Sequence, residues 1–593
     1  MKNNIKLFIR TVVYCSEMSW TASSALTILR AIALSIRTIT PFFSLMVTKK
    51  FLDLLSNSNN TEASLTNSIV LLIIITFLIC VNKALDQMIV YFQKVHNGLL
   101  EKMAITKIME KSLTIDVEFF DLPDYLDILH AVNTDFFSLC TIVWNIFLAI
   151  SGLISLIISF CMIFSFNYLY AVILFLTSLP ATVVSHHFSK ASHELKLSSL
   201  TNERQQGYIR SISNSDQFAF DIRLFNISEF LISRYSKLWE ICFAKRKVLN
   251  KKQLQFIVPA YLLPEVVSFI FLLFVTLEVI SGEKPIGDFS FYSGLFSALI
   301  NATSIVISQI GAIYEDKLKV TTVQNFNNYK AKVLDDGQTD LKEINEIEFK
   351  NVFFKYPNTD RYVLNGISFK ISKNQKVCMV GENGAGKSSI IKLLLRFYEA
   401  TDGVILINSY NINTFTLESL RRSCCALFQN NVPYAFTLRE NINLSDINRN
   451  STEEELLAAL RFVNASEMLE KLSYGLDTHI YRFFSKEGYE PSGGESQKIA
   501  LARVLFRDCS VIILDEPTSS LDPVSQSILY ANIFDILKNR TVLFISHRLF
   551  SARKADNILV VDSGRIIECG KHDELMKLKG KYSHLYRLQV DSY

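Results

Sequence analysis

Eight residues in the C-terminal half, Gly381 to Ser388 (GENGAGKS), have the glycine, lysine and hydroxyl spacing that wraps a chain of phosphates. They follow a strand-like run, KVCMV (Lys376 to Val380), and precede a helical one that begins at Ser389. The backbone N–H groups of Gly381, Glu382, Asn383, Gly384, Ala385 and Gly386 are expected to turn inward around an anion at a helix start. Lys387 then reaches the outer phosphates of a nucleoside triphosphate, and the Ser388 hydroxyl offers a ligand for Mg2+. A second run, VIILDEP (Val511 to Pro517), reads as a buried parallel strand that ends in two carboxylates. Asp515 suits Mg2+, directly or through water. Glu516 stands where a base orients and polarises an attacking water. Together these residues are the parts of an ATP hydrolase.

PSGGESQKIALAR (Pro491 to Arg503) lies shortly before the second run and resembles the signature of the ABC ATPases, usually LSGGQ. The resemblance extends to other motifs in order. Tyr356 matches the aromatic that stacks on adenine, Gln429 the Q-loop, Ser519 to Asp522 (SSLD) the D-loop, and His547 the switch histidine. It implies ATP and Mg2+ as cofactors, with Ser388, Gln429 and Asp515 around the metal. Glu516, His547 and Gln429 are the implied hydrolytic residues. It also implies that Ser492, Gly493, Gly494 and Glu495 cap the triphosphate bound by a second subunit, with Asp522 at the same junction. The helix start after Ser492 has the free N–H groups and partial positive charge for that task. Three positions depart from the family pattern: Pro491 for Leu, Glu495 for Gln, and Lys498 for the usual Arg. Glu495 favours a helix start but adds a negative charge near a phosphate.

The elements that must carry these residues fall into two materials. From about Ile344 the chain alternates strand and helix patterns, an α/β P-loop ATPase domain over 344–593. Before it, six stretches are long and apolar enough to cross a bilayer, which takes about 20 residues each. They run from about Ser19 to Val47, Ala63 to Asn82, Phe136 to Phe164, Tyr168 to Val184, Phe256 to Ile280 and Phe289 to Ile313. The fold class expected is therefore an all-α six-helix membrane domain (19–320) joined by a linker (321–343) to the ATPase. Residues 1–18 are expected to form a short amphipathic helix on the cytoplasmic membrane surface. Six crossings leave both ends on one side, which is the cytoplasm because ATP is there. The two long links, Lys83 to Asp135 and His186 to Gln255, carry the Lys/Arg excess of cytoplasmic loops. Each contains an aromatic-anchored interruption, Phe119 to Leu129 and Asp221 to Tyr235. The family resemblance gives these the role of transmission elements.

Composition excludes other classes. The net charge is +4 over 593 residues, with no basic block of the kind nucleic acid needs. Ten scattered cysteines form no metal-ligand spacing, and Cys15 stands alone, so it is not expected to be catalytic. Arg30 and Arg37 lie seven residues apart on one face of the first span, and Glu265 lies inside the fifth. Charges inside a bilayer face a partner or a cavity. An Arg–Glu brace between helices and a polar substrate wall are both open readings. The membrane half resembles an exporter-type half-transporter. The departures at the signature, with the segment before it (THIYRFFSKEGYE, Thr478 to Glu490), look most like those of bacterial exporters of lantibiotics and other modified peptides, which implies a second subunit, most simply an identical one, surrounding lipid and a peptide substrate. A multidrug or lipid exporter is the alternative within transport. An ATP-gated channel or regulatory ABC protein is the alternative outside it, disfavoured by the intact Glu516.

Overall fold

The computed structural model describes residues 2–56, 62–329, 333, 335–429, 432–517, 526, 529–531, 539–546 and 549–590. It divides into two compact units: residues 1–114 with 127–329, and residues 115–126 with 330–593.

In the first unit six helices are long and apolar enough to span a membrane. The chain runs Lys2–Ser56, Glu62–Thr114, Ser138–Phe166, Tyr168–Ser213, Ser228–Ile280 and Ile286–Asn327. Five of them, all but Ser138–Phe166, extend far beyond the ~30 Å of hydrocarbon that ~20 helical residues cover. The long links between spans are thus largely helical continuations of the spans. Span one packs along span two, span three along span six, and span four along span five. A shared apolar core joins Phe42, Ile163, Leu174, Phe271, Phe291 and Phe296.

The N-terminal segment is helical, and its register explains its packing. Thr11, Cys15, Met18 and Ser19 are buried and share one helical face. The helix breaks at Ser23, whose φ of −167° and ψ of 104° are extended, and resumes into span one. The helix of span six continues to Asn327, seven residues into the expected linker. Val320, Val323 and Phe326 are buried there at spacings of three, which keeps the helix seated.

The second unit is built on two sheets. An antiparallel sheet has the order β2-β1-β4-β5, with β1 Glu346–Phe354, β2 Leu364–Ser372, β4 Asp402–Ile407 and β5 Tyr410–Asn411. The larger sheet has the order β10-β9-β3-β8-β7-β6. Its strands are β3 Lys376–Val380, β6 Cys424–Leu427, β7 Val511–Asp515, β8 Thr541–Ile545, β9 Asn557–Asp562 and β10 Arg565–Gly570. All pairs are parallel except β9 with β10.

Strands β3, β7 and β8 are buried at every residue, so both sheet faces are covered. The alternation of side chains sorts them into two cores. Val377, Met379, Val511, Ile513, Leu543 and Ile545 face the helix Lys387–Leu394. Cys378, Val380, Ile512, Leu514, Val542 and Phe544 face the helix Gly493–Phe506. The phosphate-loop helix and the signature helix therefore lie on opposite faces of one sheet.

Candidate active site

The phosphate loop follows the C-terminal end of β3, and Asp515 ends β7, so both motifs stand at the strand ends where α/β sheets take ligands. Gly386 is the N-cap of the helix Lys387–Leu394 with φ +104°, and an added Cβ would come within 2.6 Å of Leu364 Cδ2. Conformation and space both demand glycine there. Lys387 is buried, and its Nζ donates to the carbonyls of Gly381 at 2.7 Å and Glu382 at 2.9 Å. Burial lowers the Lys387 pKa, while Glu516 and Asp515 oppose that shift.

Ser388 Oγ donates to Asp515 Oδ2 at 2.9 Å. A hydroxyl and a carboxylate from different elements thus converge, the oxygen donor set a hard cation such as Mg2+ requires. Glu516 has φ +51°, a left-handed conformation uncommon for a residue with a side chain. It is pinned there: its N–H donates to the Ile545 carbonyl at 3.1 Å, and its own carbonyl accepts from Gln497 Nε2 at 3.1 Å. Gln429 Nε2 donates to Glu516 Oε2 at 3.1 Å. Backbone strain held by surrounding bonds at a carboxylate is a mark of a functional site. Glu516, Gln429, Asp515, Ser388 and Lys387 are therefore brought together. Asn383, Gly384 and Ala385 lie in the same loop. Asp522 with the rest of the D-loop, and His547, lie outside the described residues.

Tyr356 follows β1. Its ring meets Phe354 and Tyr398 edge-on, at 4.9 and 5.3 Å between centroids. Its hydroxyl is 3.0 Å from Ser389 Oγ and accepts from Lys392 Nζ at 3.3 Å. A cavity of about 360 Å³ opens beside it, lined in part by Tyr356, Asn358, Tyr398, Thr401 and Glu118. An aromatic stack on a base contributes about 1–3 kcal/mol in nucleic-acid complexes. Tyr356→Ala is accordingly expected to weaken ATP binding by about 5- to 150-fold in a fluorescent-nucleotide titration, with Tyr356→Phe close to wild type. Equal damage from both would move the role from the ring to the hydroxyl.

The signature begins with Ser492 as N-cap, and Ser492 and Glu495 form a reciprocal capping box. Glu495 Oε2 accepts from the Ser492 N–H at 2.9 Å, and Glu495 N–H donates to Ser492 Oγ at 3.3 Å. Its other oxygen accepts from the Tyr489 hydroxyl at 2.8 Å and from Lys471 Nζ at 3.2 Å. Burial raises the Glu495 pKa, but these hydrogen bonds outweigh it and hold the carboxyl at about 2. Gly493 and Gly494 form the first helical turn.

Residues 115–126, which hold most of the first expected interruption (Phe119 to Leu129), belong with the ATPase unit. Residues Val117–Asp121 form a 3-10 turn, Phe119 is buried, and the Tyr398 hydroxyl donates to Asp121. Asp116 accepts from the Val333 N–H at 3.0 Å. The second expected interruption, Asp221 to Tyr235, covers the end of helix Asp216–Leu224 and the start of helix Ser228–Ile280, and it leaves Leu224, Phe225 and Phe230 exposed in this chain, as is Phe220 just before it.

In the membrane unit the expected partner for the arginines is corrected. Glu265 is exposed, and among the described residues it forms no ion pair with Arg30 or Arg37. Arg37 instead pairs with Asp86 at 2.5 Å, and Arg30 Nη2 donates to Gln93 at 3.0 Å. Both partners lie on span two, which runs antiparallel to span one, so seven residues along one match seven along the other. Arg30 is buried with its guanidinium 3.5 Å above the Trp144 ring, and its Nε and Nη1 reach no acceptor among the described residues. Sequence reading passed over Trp144, His96 and Asp316. Trp144 donates to Asn97 at 2.7 Å, and Asp316 accepts from Thr141 and Asn145 at 2.9 and 2.8 Å, joining spans three and six. Only their polarity beside apolar runs hinted at this.

A buried charge without a counter-charge is costly to desolvate, so replacing it by an apolar side chain of similar length need not destabilise the fold. Arg30→Met is expected to hold or raise the thermal midpoint in detergent. Trp144→Leu, which removes the ring and leaves the charge, is expected to lower it by several degrees, at about 2–4 kcal/mol. A large loss of stability in Arg30→Met would show that the Gln93 bond and the Trp144 ring outweigh the cost of burying the charge.

The family model described as ABC transporter matches residues 364–519. The chain is 31% identical over 481 residues to the subtilin transport ATP-binding protein SpaT of Bacillus subtilis, covering 79% of this chain and 77% of that one. It is 26% identical over 552 residues to the nisin transport ATP-binding protein NisT of Lactococcus lactis subsp. lactis, covering 92% and 91%. It is 35% identical over 312 residues to an ATP-dependent lipid A-core flippase of Haemophilus ducreyi, covering 53% of each. The solved structure of a bacterial Atm1-family ABC exporter with ATP bound has the same fold, with a TM-score of 0.78 at 20% identity over 96% of this chain and 99% of that one.

Proposed function

This chain belongs to the ABC transporter family and is a multi-pass ATP-driven exporter, and from that premise we propose that two copies of it move a lantibiotic-like peptide outward across the cytoplasmic membrane. One observation carries the peptide. The similarity to the nisin transport protein runs over 552 residues and so includes the membrane half, where cargo is selected. The flippase similarity spans 312 residues, little more than an ATPase domain. A multidrug or lipid cargo is the second reading.

The case for two copies is geometric. The phosphate loop and the signature helix lie on opposite faces of the same sheet, so one ATPase unit cannot close both on one nucleotide. A second copy supplies the missing signature. Lys387 and the loop N–H groups bind the triphosphate, Tyr356 stacks on adenine, and Ser492 with Gly493 and Gly494 caps from the partner. Glu516, aligned by Gln429, orients water toward the outer phosphate. Asp522 and His547 keep the roles the family gives them at this junction. Ser388, Asp515 and Gln429 would hold Mg2+, which supplies charge neutralisation on the phosphates. ATP favours the closed pair and hydrolysis releases it, which shifts the membrane unit between its two conformations. The segments Phe119 to Leu129 and Asp221 to Tyr235 are the transmission elements. The domain limits are 1–18, 19–320, 321–343 and 344–593, with both termini cytoplasmic.

The test is reconstitution into vesicles with the ATPase units outward. A cationic, thioether-bridged peptide is expected to accumulate inside only with ATP and to stimulate turnover. Movement of a fluorescent lipid with no response to peptide would transfer the assignment to lipid. Native mass measurement of the purified protein is expected to give a dimer with ATPase activity. An inactive monomer rescued only by another gene product would overturn the homodimer.

A further inference from the structure

The signature carries a glutamate where a neutral glutamine is usual, and it stands at the helix start that must receive a triphosphate. A carboxylate there repels the anion unless its charge is cancelled. Glu495 is mostly buried, with its side chain 16% exposed, so solvent alone does not screen it. Every part of it is engaged: Oε2 by the Ser492 N–H, and Oε1 by the Tyr489 hydroxyl and the Lys471 ammonium. Lys498, one turn further along the helix, is directed away and donates to the Asn464 carbonyl at 2.8 Å. Among the described residues Lys471 is the cation paired with Glu495. Lys471 comes from the segment after the helix Ser466–Glu470, more than 20 positions earlier, so the pairing is tertiary.

We propose that Lys471 and Tyr489 are positioning residues for the nucleotide site of the partner subunit, holding Glu495 in its capping box and cancelling its charge so that the signature end stays attractive to a triphosphate. This rests on the two-copy reading above. Lys471 neutralises, and Tyr489 directs Oε1 away from the helix mouth. The Ser492 hydroxyl and the first N–H groups are then left to face the phosphate.

The experiment uses the full-length protein in nanodiscs, with KM for ATP and kcat measured at about 0.1 M and about 1 M salt, where screening lengths are roughly 10 and 3 Å. Lys471→Ala is expected to raise KM about three- to tenfold at the lower salt with kcat little changed, and the gap to wild type should close at the higher salt. Lys471→Glu is expected to do more. Glu495→Gln should make the site indifferent to Lys471, so Lys471→Ala in that background should match Glu495→Gln alone. Lys471 is exposed, so folding is not at stake. A silent Lys471→Ala, or one equally damaging with Glu495→Gln and insensitive to salt, would overturn the proposal. Gly493→Asp separates this from the parent reading, because it places a new carboxylate at the same helix start. If turnover tolerates that change, the two-copy site fails whatever Lys471 does. If Gly493→Asp is inactive and Lys471→Ala silent, the positioning role alone fails.

Discussion

Replacing Glu516 by Gln stops steady-state ATP turnover while ATP still binds. The carboxylate sits one residue beyond Asp515, in a left-handed conformation fixed by Ile545 and Gln497, with Gln429 on its side chain. Gln keeps the size and the hydrogen bond to water but cannot take its proton. Loss of a placed general base costs about 10²–10⁴-fold. Fold and nucleotide affinity depend on other atoms and should survive. Phosphate release from the purified protein measures the effect, and equilibrium nucleotide binding provides the control. A variant that turns over near the wild-type rate would remove Glu516 from the mechanism and leave Gln429 or His547 to position water.

Lys387→Ala has the second large effect, on binding. In this structure the ammonium is occupied by the Gly381 and Glu382 carbonyls, and its expected role is to exchange them for phosphate oxygens when ATP enters. Hydrogen bonds to charged groups contribute about 1.5–3 kcal/mol each, so losing two weakens ATP binding by about 10²–10⁴-fold. A ligand present at 100 times its Kd stabilises a protein by about 2.7 kcal/mol. The wild-type thermal midpoint should therefore rise clearly with ATP, and that of Lys387→Ala should not move. An unchanged ATP-induced shift in the variant would refute the role. A modest fall in its midpoint without ATP is also expected, because two carbonyls lose their donor.

These two sites differ in how far sequence reached them. GENGAGKS fixes a strand, a loop and a helix within a few residues, and the physics of that turn is local. Gly386 needs φ +104° and no Cβ because Leu364 and Val363 crowd it, yet the motif carries the glycine on its own. The six spans were equally legible, since a bilayer imposes length and apolarity on each helix separately. The continuation of span six to Asn327 was not, because it depends on Val320, Val323 and Phe326 finding a surface to bury against.

Charge pairing was the least legible feature. Arg30 and Arg37 were recognisable as costly residues on one helical face. Sequence distance says nothing about which helix comes alongside, and Glu265 looked an adequate partner. Packing chose span two instead, where antiparallel register sets Arg37 against Asp86 and Arg30 against Gln93. The same holds for Glu495. Its place in a capping box with Ser492 is a spacing of three and readable from the chain, whereas Lys471 arrives from another element. The sequence by itself determined the nucleotide chemistry, the number of spans and the two-part architecture, because each rests on contacts within a few residues or on the solvent a segment needs. Tertiary structure alone decided which charges meet, and that the phosphate loop and signature occupy opposite faces of one sheet, because those outcomes depend on how distant segments share buried surface.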